Sequence, residues 1–277
     1  MKFKFIDDLT VLEKINLLSI GLTSYNFKNH VPSDIPTSGL YIPAKNLESQ
    51  NHLDSISAWT KDNKMELNKK KSKAMVFNYT RNFQFSSRAQ IEDEIIEIIT
   101  ETKLLGVIVT DDLKWDKNTL YLTRRANARM RLLHKLAEFS VPVEELVLIY
   151  TLFIRSILEQ SCQVWHSSLS RENEQDLERV QKSALKIILK EEYQDYENAL
   201  KITGLELLSA RRSDLCLRFA QGCLEKEELK SMFPLNPNQS NMTTRKREKF
   251  LVTPSNTERL KKSAIPFMQR QLNCLTE

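Results

Sequence analysis

Residues 122–137 read LTRRANARMRLLHKLA, and their spacing decides how the rest of the chain is read. Leu122, Ala126, Met130, Leu133 and Ala137 recur at intervals of three and four, so they share one face of a helix. Arg124, Arg131 and Lys135 fall on the opposite face. The segment is an amphipathic helix with an apolar side for a core and a basic outer stripe. It marks a change of pattern at Trp115: mixed strand and helix before it, helix after it.

Downstream, 144–165 (EELVLIYTLFIRSILEQSCQVW) is strongly apolar and is expected as one helix central to a bundle. Ser170 is placed to cap the next helix, with Glu172, Glu174 and Asp176 near its positive end. Leu177, Val180, Ala184, Ile187 and Ile188 form the apolar side of that helix. Further helices are expected near 196–203 and 207–224, with Gly204 as a C-terminal cap between them. Residues 234–244 (PLNPNQSNMTT) read as a polar linker, and a basic tail resumes at Arg245.

Upstream, the short apolar runs 3–6 and 9–12 flank Asp7 and Asp8 and read as a hairpin. Residues 32–43 hold three prolines and a glycine and form a loop. Leu53, Ile56 and Trp59 give 47–60 helical spacing. A polar, basic turn at 63–73 leads to a strand at 74–78, and KLLGVIV at 103–109 is a second strand ended by Thr110-Asp111-Asp112. The fold class is α+β. Three regions follow: 1–115 mixed, 116–230 helical, and 231–277 a polar linker with a basic tail.

Composition narrows the function classes. A hydrophobic fraction of 41% and a charged fraction of 28% suit a globular chain. No apolar run approaches the ~20 residues of a membrane span, and Asp7-Asp8 interrupt any secretory segment. The four cysteines (162, 216, 223 and 274) show no Cys-x-x-Cys spacing, so neither a zinc ribbon nor a disulfide framework is suggested, and a reducing intracellular compartment, nucleus or cytoplasm, fits best. His30, His52, His134 and His166 are scattered and suggest no ligand set. The net charge is only +5, but 61–81 holds seven bases and two acids, 114–135 seven and one, and 245–262 seven and two. An acidic stretch, IEDEIIEIITE, covers 91–101. Taken singly such clusters are ordinary solvated faces; together they suit a polyanion.

Several short boxes then fall in order. Phe5-Ile6-Asp7-Asp8 is followed by Leu9-Thr10. Trp59 opens a segment carrying Leu67-Asn68, Lys71-Ser72-Lys73 and the apolar Ala74–Phe77. Lys103-Leu104-Leu105-Gly106-Val107 runs on to Leu113-Lys114-Trp115. Tyr150, Ile154-Arg155, Leu158-Glu159 and Val164-Trp165 come next, then Leu177-Glu178 with Val180-Gln181. Ala199-Leu200, Gly204-Leu205, Leu208 and Arg211-Arg212 close the series. In this order the boxes resemble the C-terminal part of the reverse transcriptases of non-LTR (LINE-type) retrotransposons, from the F-x-D-D box onward. The resemblance covers roughly residues 3 to 225 and is carried by order and spacing rather than by any one box.

The resemblance implies an RNA-directed DNA polymerase: half a palm with the F-x-D-D hairpin and primer-grip region over 1–115, then a thumb and helical downstream region over 116–230. Its partners would be an RNA template, a DNA primer duplex and dNTP, with no membrane. Asp7 would ligate Mg²⁺ or Mn²⁺ directly and Asp8 more weakly, since hard divalent ions take carboxylate oxygens and two such ions clamp the attacking and leaving oxygens. Lys71 would neutralise the leaving pyrophosphate, with the register among Lys69, Lys70, Lys71 and Lys73 left open by the lysine run. Leu105 and Gly106 would approach the primer strand, and Arg124, Arg131 and Lys135 would line the thumb against duplex phosphates. The family's third carboxylate comes from a palm strand far upstream of F-x-D-D. The expectation is therefore a weakly held metal and no polymerisation by these residues alone. The rival readings are a nucleic-acid-binding module without catalysis, or a transposon remnant.

Overall fold

In a computed structural model, the described residues are 48–65, 67–77, 89–237 and 249–275, together with the backbone of the pairs 39–40 and 84–85. The chain divides into two units, Met1–Leu113 and Lys114–Glu277. The expected hairpin around Asp7 and Asp8 and the proline loop at 32–38 lie outside the described residues.

The first unit is mixed, as the α+β reading expects. Its elements are β1 (Gly39–Leu40), α1 (Glu48–Asp62), β2 (Lys73–Ala74), β3 (Gln84–Phe85), β4 (Gln90–Ile91), β5 (Glu94–Ile95), β6 (Glu97–Ile98), β7 (Glu101–Leu104) and β8 (Val107–Thr110). β1 pairs with β3 and β2 with β6 in parallel; β4–β5 and β7–β8 are antiparallel. The strand expected at 74–78 is confined to Lys73–Ala74, because its partner β6 offers only two residues; Ile99 N–H adds one bond to the Ala74 carbonyl. Gln50, buried on α1, closes the edge of β4: its amide nitrogen donates to the Gln90 carbonyl and its oxygen accepts from Gln90 N–H (2.8 and 2.9 Å). The side chain does what a neighbouring strand would do.

KLLGVIV is a hairpin and not one strand. Leu104 faces Val107 across a two-residue turn in which Leu105 (φ 47°) and Gly106 (φ 87°) are both left-handed. Two consecutive positive φ values are what a tight hairpin matching the strand twist needs. Glycine takes such a value freely and leucine does not, so Leu105 hid the turn from a reading based on turn residues.

The second unit is helical: α2 (Asp116–Glu138), α3 (Val143–Ile149), a π-helical segment (Tyr150–Arg155), α4 (Ser156–Glu159), α5 (Cys162–Trp165), α6 (Arg171–Leu189), α7 (Tyr196–Thr203), α8 (Leu208–Leu224), α9 (Glu227–Lys230), α10 (Glu258–Lys262) and α11 (Ala264–Cys274). α2 lies along α6. Leu122, Ala126, Met130, Leu133 and Ala137, the face picked out by spacing, are all buried. On α6, which α2 lies along, Leu177, Val180, Ala184 and Ile188 are buried too, and each helix carries alanines on its buried side, small enough for close helix packing. Ser170 Oγ accepts from Asn173 N–H (3.1 Å), and the Asn173 side chain donates to Asp116 (2.7 Å), tying the start of α6 to the start of α2.

The apolar stretch 144–165 is not one helix. After α3 the backbone widens into the π segment, and at Gln160–Ser161 it breaks, with Ser161 left-handed at φ 52°. Trp165 Nε1 donates to the Gln160 carbonyl (3.0 Å), which holds the break. No glycine or proline lies in this stretch to signal it.

The segment expected as linker and tail carries structure from 249 onward. Phe233, Phe250, Met268 and Leu272 close a second core with Cys216, Ala220 and Cys223 of α8. Gln269 is buried in it; its oxygen accepts from Thr253 N–H (2.7 Å) and its nitrogen donates to the Met232 carbonyl (2.8 Å). Asn273 brackets Phe250, accepting from its N–H and donating to its carbonyl (2.8 and 2.9 Å). α10 and α11 are therefore part of the helical unit.

Two glycines provide a stability test. Gly204 caps α7 at φ 65°, with Leu205 N–H bonded to the Leu200 carbonyl and Gly204 N–H to that of Lys201. A Cβ there would touch nothing, so Gly204→Ala is expected to cost about 1 kcal/mol through backbone strain alone. Gly222, inside α8, has the same free space and no positive φ. Gly222→Ala is expected to stabilise by roughly 0.5–1 kcal/mol. Urea denaturation of both variants checks the opposite signs.

Candidate nucleic-acid interface

The lysine-rich turn after α1 is built on Asn68, whose carbonyl and side-chain oxygen both accept from Lys71 N–H (3.1 Å each). The acidic stretch neutralises much of it within the same unit. Lys61 and Lys69 clasp Glu92 (2.7 and 2.5 Å), and Lys73 pairs with Glu97. Hydrogen bonds from Lys61 and then Lys69 pull the Glu92 carboxyl down to about 2, and the bond to Glu92 raises Lys69. Lys70 and Lys71 have no carboxylate partner among the described residues. Of the four lysines left open by sequence, Lys69 and Lys73 are thus occupied by acids, while Lys71 stays exposed on its turn.

Leu105 and Gly106 stand at the tip of the β7–β8 hairpin, with Leu105 74% exposed. A leucine so far out of a core contributes nothing to folding by burial. Arg124, Arg131 and Lys135 are exposed along α2, as their spacing requires, and have no carboxylate partner among the described residues. Ala128 lies between them on the same face and leaves the backbone approachable. Along the adjacent side of α2, Arg125 Nη1 donates to Gln160 (3.0 Å) and Arg129 Nη1 to the Phe153 carbonyl (3.2 Å). Sequence reasoning passed over these two arginines, although they stand four apart. Asp7 and Asp8 lie outside the described residues, and no cluster of three or more metal-ligating side chains occurs among the described residues.

The boxes after residue 150 converge on a buried polar network. Gln181 is fully buried and uses its whole amide. Its oxygen accepts from Tyr150 OH (2.7 Å), and its nitrogen donates to Tyr196 OH (2.9 Å) and the Glu206 carbonyl (2.8 Å). Tyr196 OH donates in turn to Glu178, which also accepts from Leu208 N–H (3.2 Å). Burial drives both phenols up, with the Glu178 carboxylate adding to the effect on Tyr196. Glu159 sits between Arg155 and Arg211 (3.2 and 3.4 Å). Arg212 is fully buried over Trp165 (5.8 Å), and its Nε reaches His166 Nδ1 (3.4 Å). Its Nη atoms have no hydrogen-bond partner among the described residues, and burial lowers its pKa. His166, desolvated and beside that cation, is lowered to about 4. These boxes therefore mark what keys α3, the π segment, α6, α7 and α8 together.

Comparison with protein-family models, with curated proteins and with solved structures finds no match.

Replacing Gln181 with Leu strands Tyr150 OH and the Glu206 carbonyl in the core. Each orphaned group costs about 1–3 kcal/mol, so a loss of roughly 3 kcal/mol is expected in urea denaturation; a loss under about 0.5 kcal/mol would remove Gln181 from its place in the network. His166 supplies a pH dependence. Its folded pKa lies below its unfolded value of 6.5, so its contribution is present in full above that value. That contribution is lost as pH falls from 6.5 to about 4, by roughly 3 kcal/mol. The difference in stability between the parent chain and His166→Gln should change across that window and level off outside it.

Proposed function

We propose that this chain is the C-terminal part of a non-LTR retrotransposon reverse transcriptase, in which the helical unit grips nucleic acid. The observation that supports this best is the contrast between its cations. The lysines around Glu92 and Glu97 are answered by acids, whereas Arg124, Arg131 and Lys135 face outward on one side of α2 with no acid to meet them among the described residues. They sit on a helix fixed along its length by α6, so their charges are held in line rather than on a loop. A row of aligned, unpaired cations binds phosphates by releasing counterions. RNA template and DNA primer duplex, with dNTP in the complete enzyme, are the partners of this reading.

The chemistry of the parent enzyme would rest on Asp7 and Asp8. Adjacent carboxylates are the donors that Mg²⁺ or Mn²⁺ takes, and the ions would supply charge stabilisation for nucleotidyl transfer. Lys71, exposed on its turn, would meet the pyrophosphate charge, and Leu105-Gly106 would meet the primer. Templated extension of a DNA primer on an RNA template, lost on Asp7→Ala, would assign that chemistry to these residues. Binding without extension favours a non-catalytic grip.

The grip itself is measured by anisotropy with an RNA–DNA duplex across a salt series. Log affinity is expected to fall linearly with log salt, and the triple variant Arg124→Ala/Arg131→Ala/Lys135→Ala should flatten that slope by about 3. An unchanged slope would take these residues out of the interface.

A further inference from the structure

The stretch 144–165 reads as a central helix, yet it leaves large apolar side chains in water. Leu152 is 57% and Phe153 47% exposed, side by side in the π segment Tyr150–Arg155. A π turn disrupts the ordinary register and is frequent at functional sites. Phe153 is also the residue whose carbonyl Arg129 holds. One helical turn along α2, the guanidinium of Arg125 lies over the ring of Tyr121 at 5.2 Å. Tyr121, Arg125 and Arg129 stand at i, i+4 and i+8, so they form one stripe about 12 Å long. Gln160 and Phe153 flank it.

From this stripe we infer that the helical unit has a second nucleic-acid site, for unpaired nucleotides, in which Phe153 and Tyr121 stack bases and Arg125 and Arg129 hold the intervening phosphates. Two arginines lie between Tyr121 and Phe153 along it, as phosphates lie between bases along a strand. Single-strand sites combine stacking platforms with arginine in this way. No Asp or Glu occupies positions 121, 125, 129, 132, 153, 156 or 160. Each arginine is fixed by one Nη atom, which leaves most of its five donors for phosphate and limits the entropy lost on binding. A partner helix would instead want apolar anchors at successive turns, without cations between them. The site is distinct from the Arg124–Arg131–Lys135 face. It rests on the proposed nucleic-acid function only in the class of partner.

The test uses the whole chain and fluorescence anisotropy with labelled oligo(rA), oligo(dT) and an RNA–DNA duplex, with heparin as a competitor that has charge but no bases. Phe153→Ala and Tyr121→Ala should each weaken single-strand binding roughly tenfold while moving duplex affinity less than about twofold. Phe153→Trp should retain affinity, with the added indole emission quenched by bound bases. The triple variant of the other face should do the reverse, losing duplex and keeping single strands. If Phe153→Ala leaves oligonucleotide affinity unchanged, or heparin displaces oligonucleotides from the parent chain and Phe153→Ala equally well, the inference is overturned. Loss of duplex binding alone overturns the proposed grip and leaves this site standing.

Discussion

The packing of α6 against the π segment and α7 answers to the side-chain amide of Gln181. A buried amide is tolerated only when its hydrogens and its oxygen are paired, because water is no longer available to it. Tyr150, Tyr196 and the Glu206 carbonyl meet that demand from three directions in the fold. The requirement sets the rotation of α6 against the π segment and α7, since an amide turned the other way would set its oxygen against the Glu206 carbonyl, acceptor to acceptor. Glu178, one turn before Gln181, repeats the constraint by holding Tyr196 and the first N–H of α8. The apolar contact of α2 with α6 supplies cohesion; the polar network supplies register.

The same chain handles charge in two ways. Among the described residues of the first unit, Glu92 and Glu97 hold Lys61, Lys69 and Lys73. In the second, Glu159 pairs with Arg155 and Arg211, while the outer arginines of α2 are left to solvent. A modest net charge thus conceals a concentrated field, which is where a polyanion would be steered.

Periodicity made much of this legible. The buried face of α2, the cap at Ser170, the bounds of α7 and the left-handed Gly204 all follow from residue type and spacing, because each is a local requirement. What stayed hidden depended on partners distant in sequence. Leu105 occupies a turn position that side-chain preference disfavours. Ser161 breaks a helix without a breaker. Phe250 and Asn273 look like members of a polar tail until α8 is placed beside them. The pairing of Lys69 and Lys73 with acids more than twenty residues away was equally out of reach of any local rule. Asp7 and Asp8 rest on the order of the boxes alone.

The second core also fixes an order of events. One side of α8 bears Cys216, Ala220 and Cys223, and their covering residues Phe250, Met268 and Leu272 come later in the chain. During synthesis that side must wait, uncovered, until the last of them has emerged. A nascent chain can therefore assemble α2 on α6 while α8 still exposes an apolar surface and two thiols. The interval before closure is the period in which this protein most resembles an aggregation-prone intermediate.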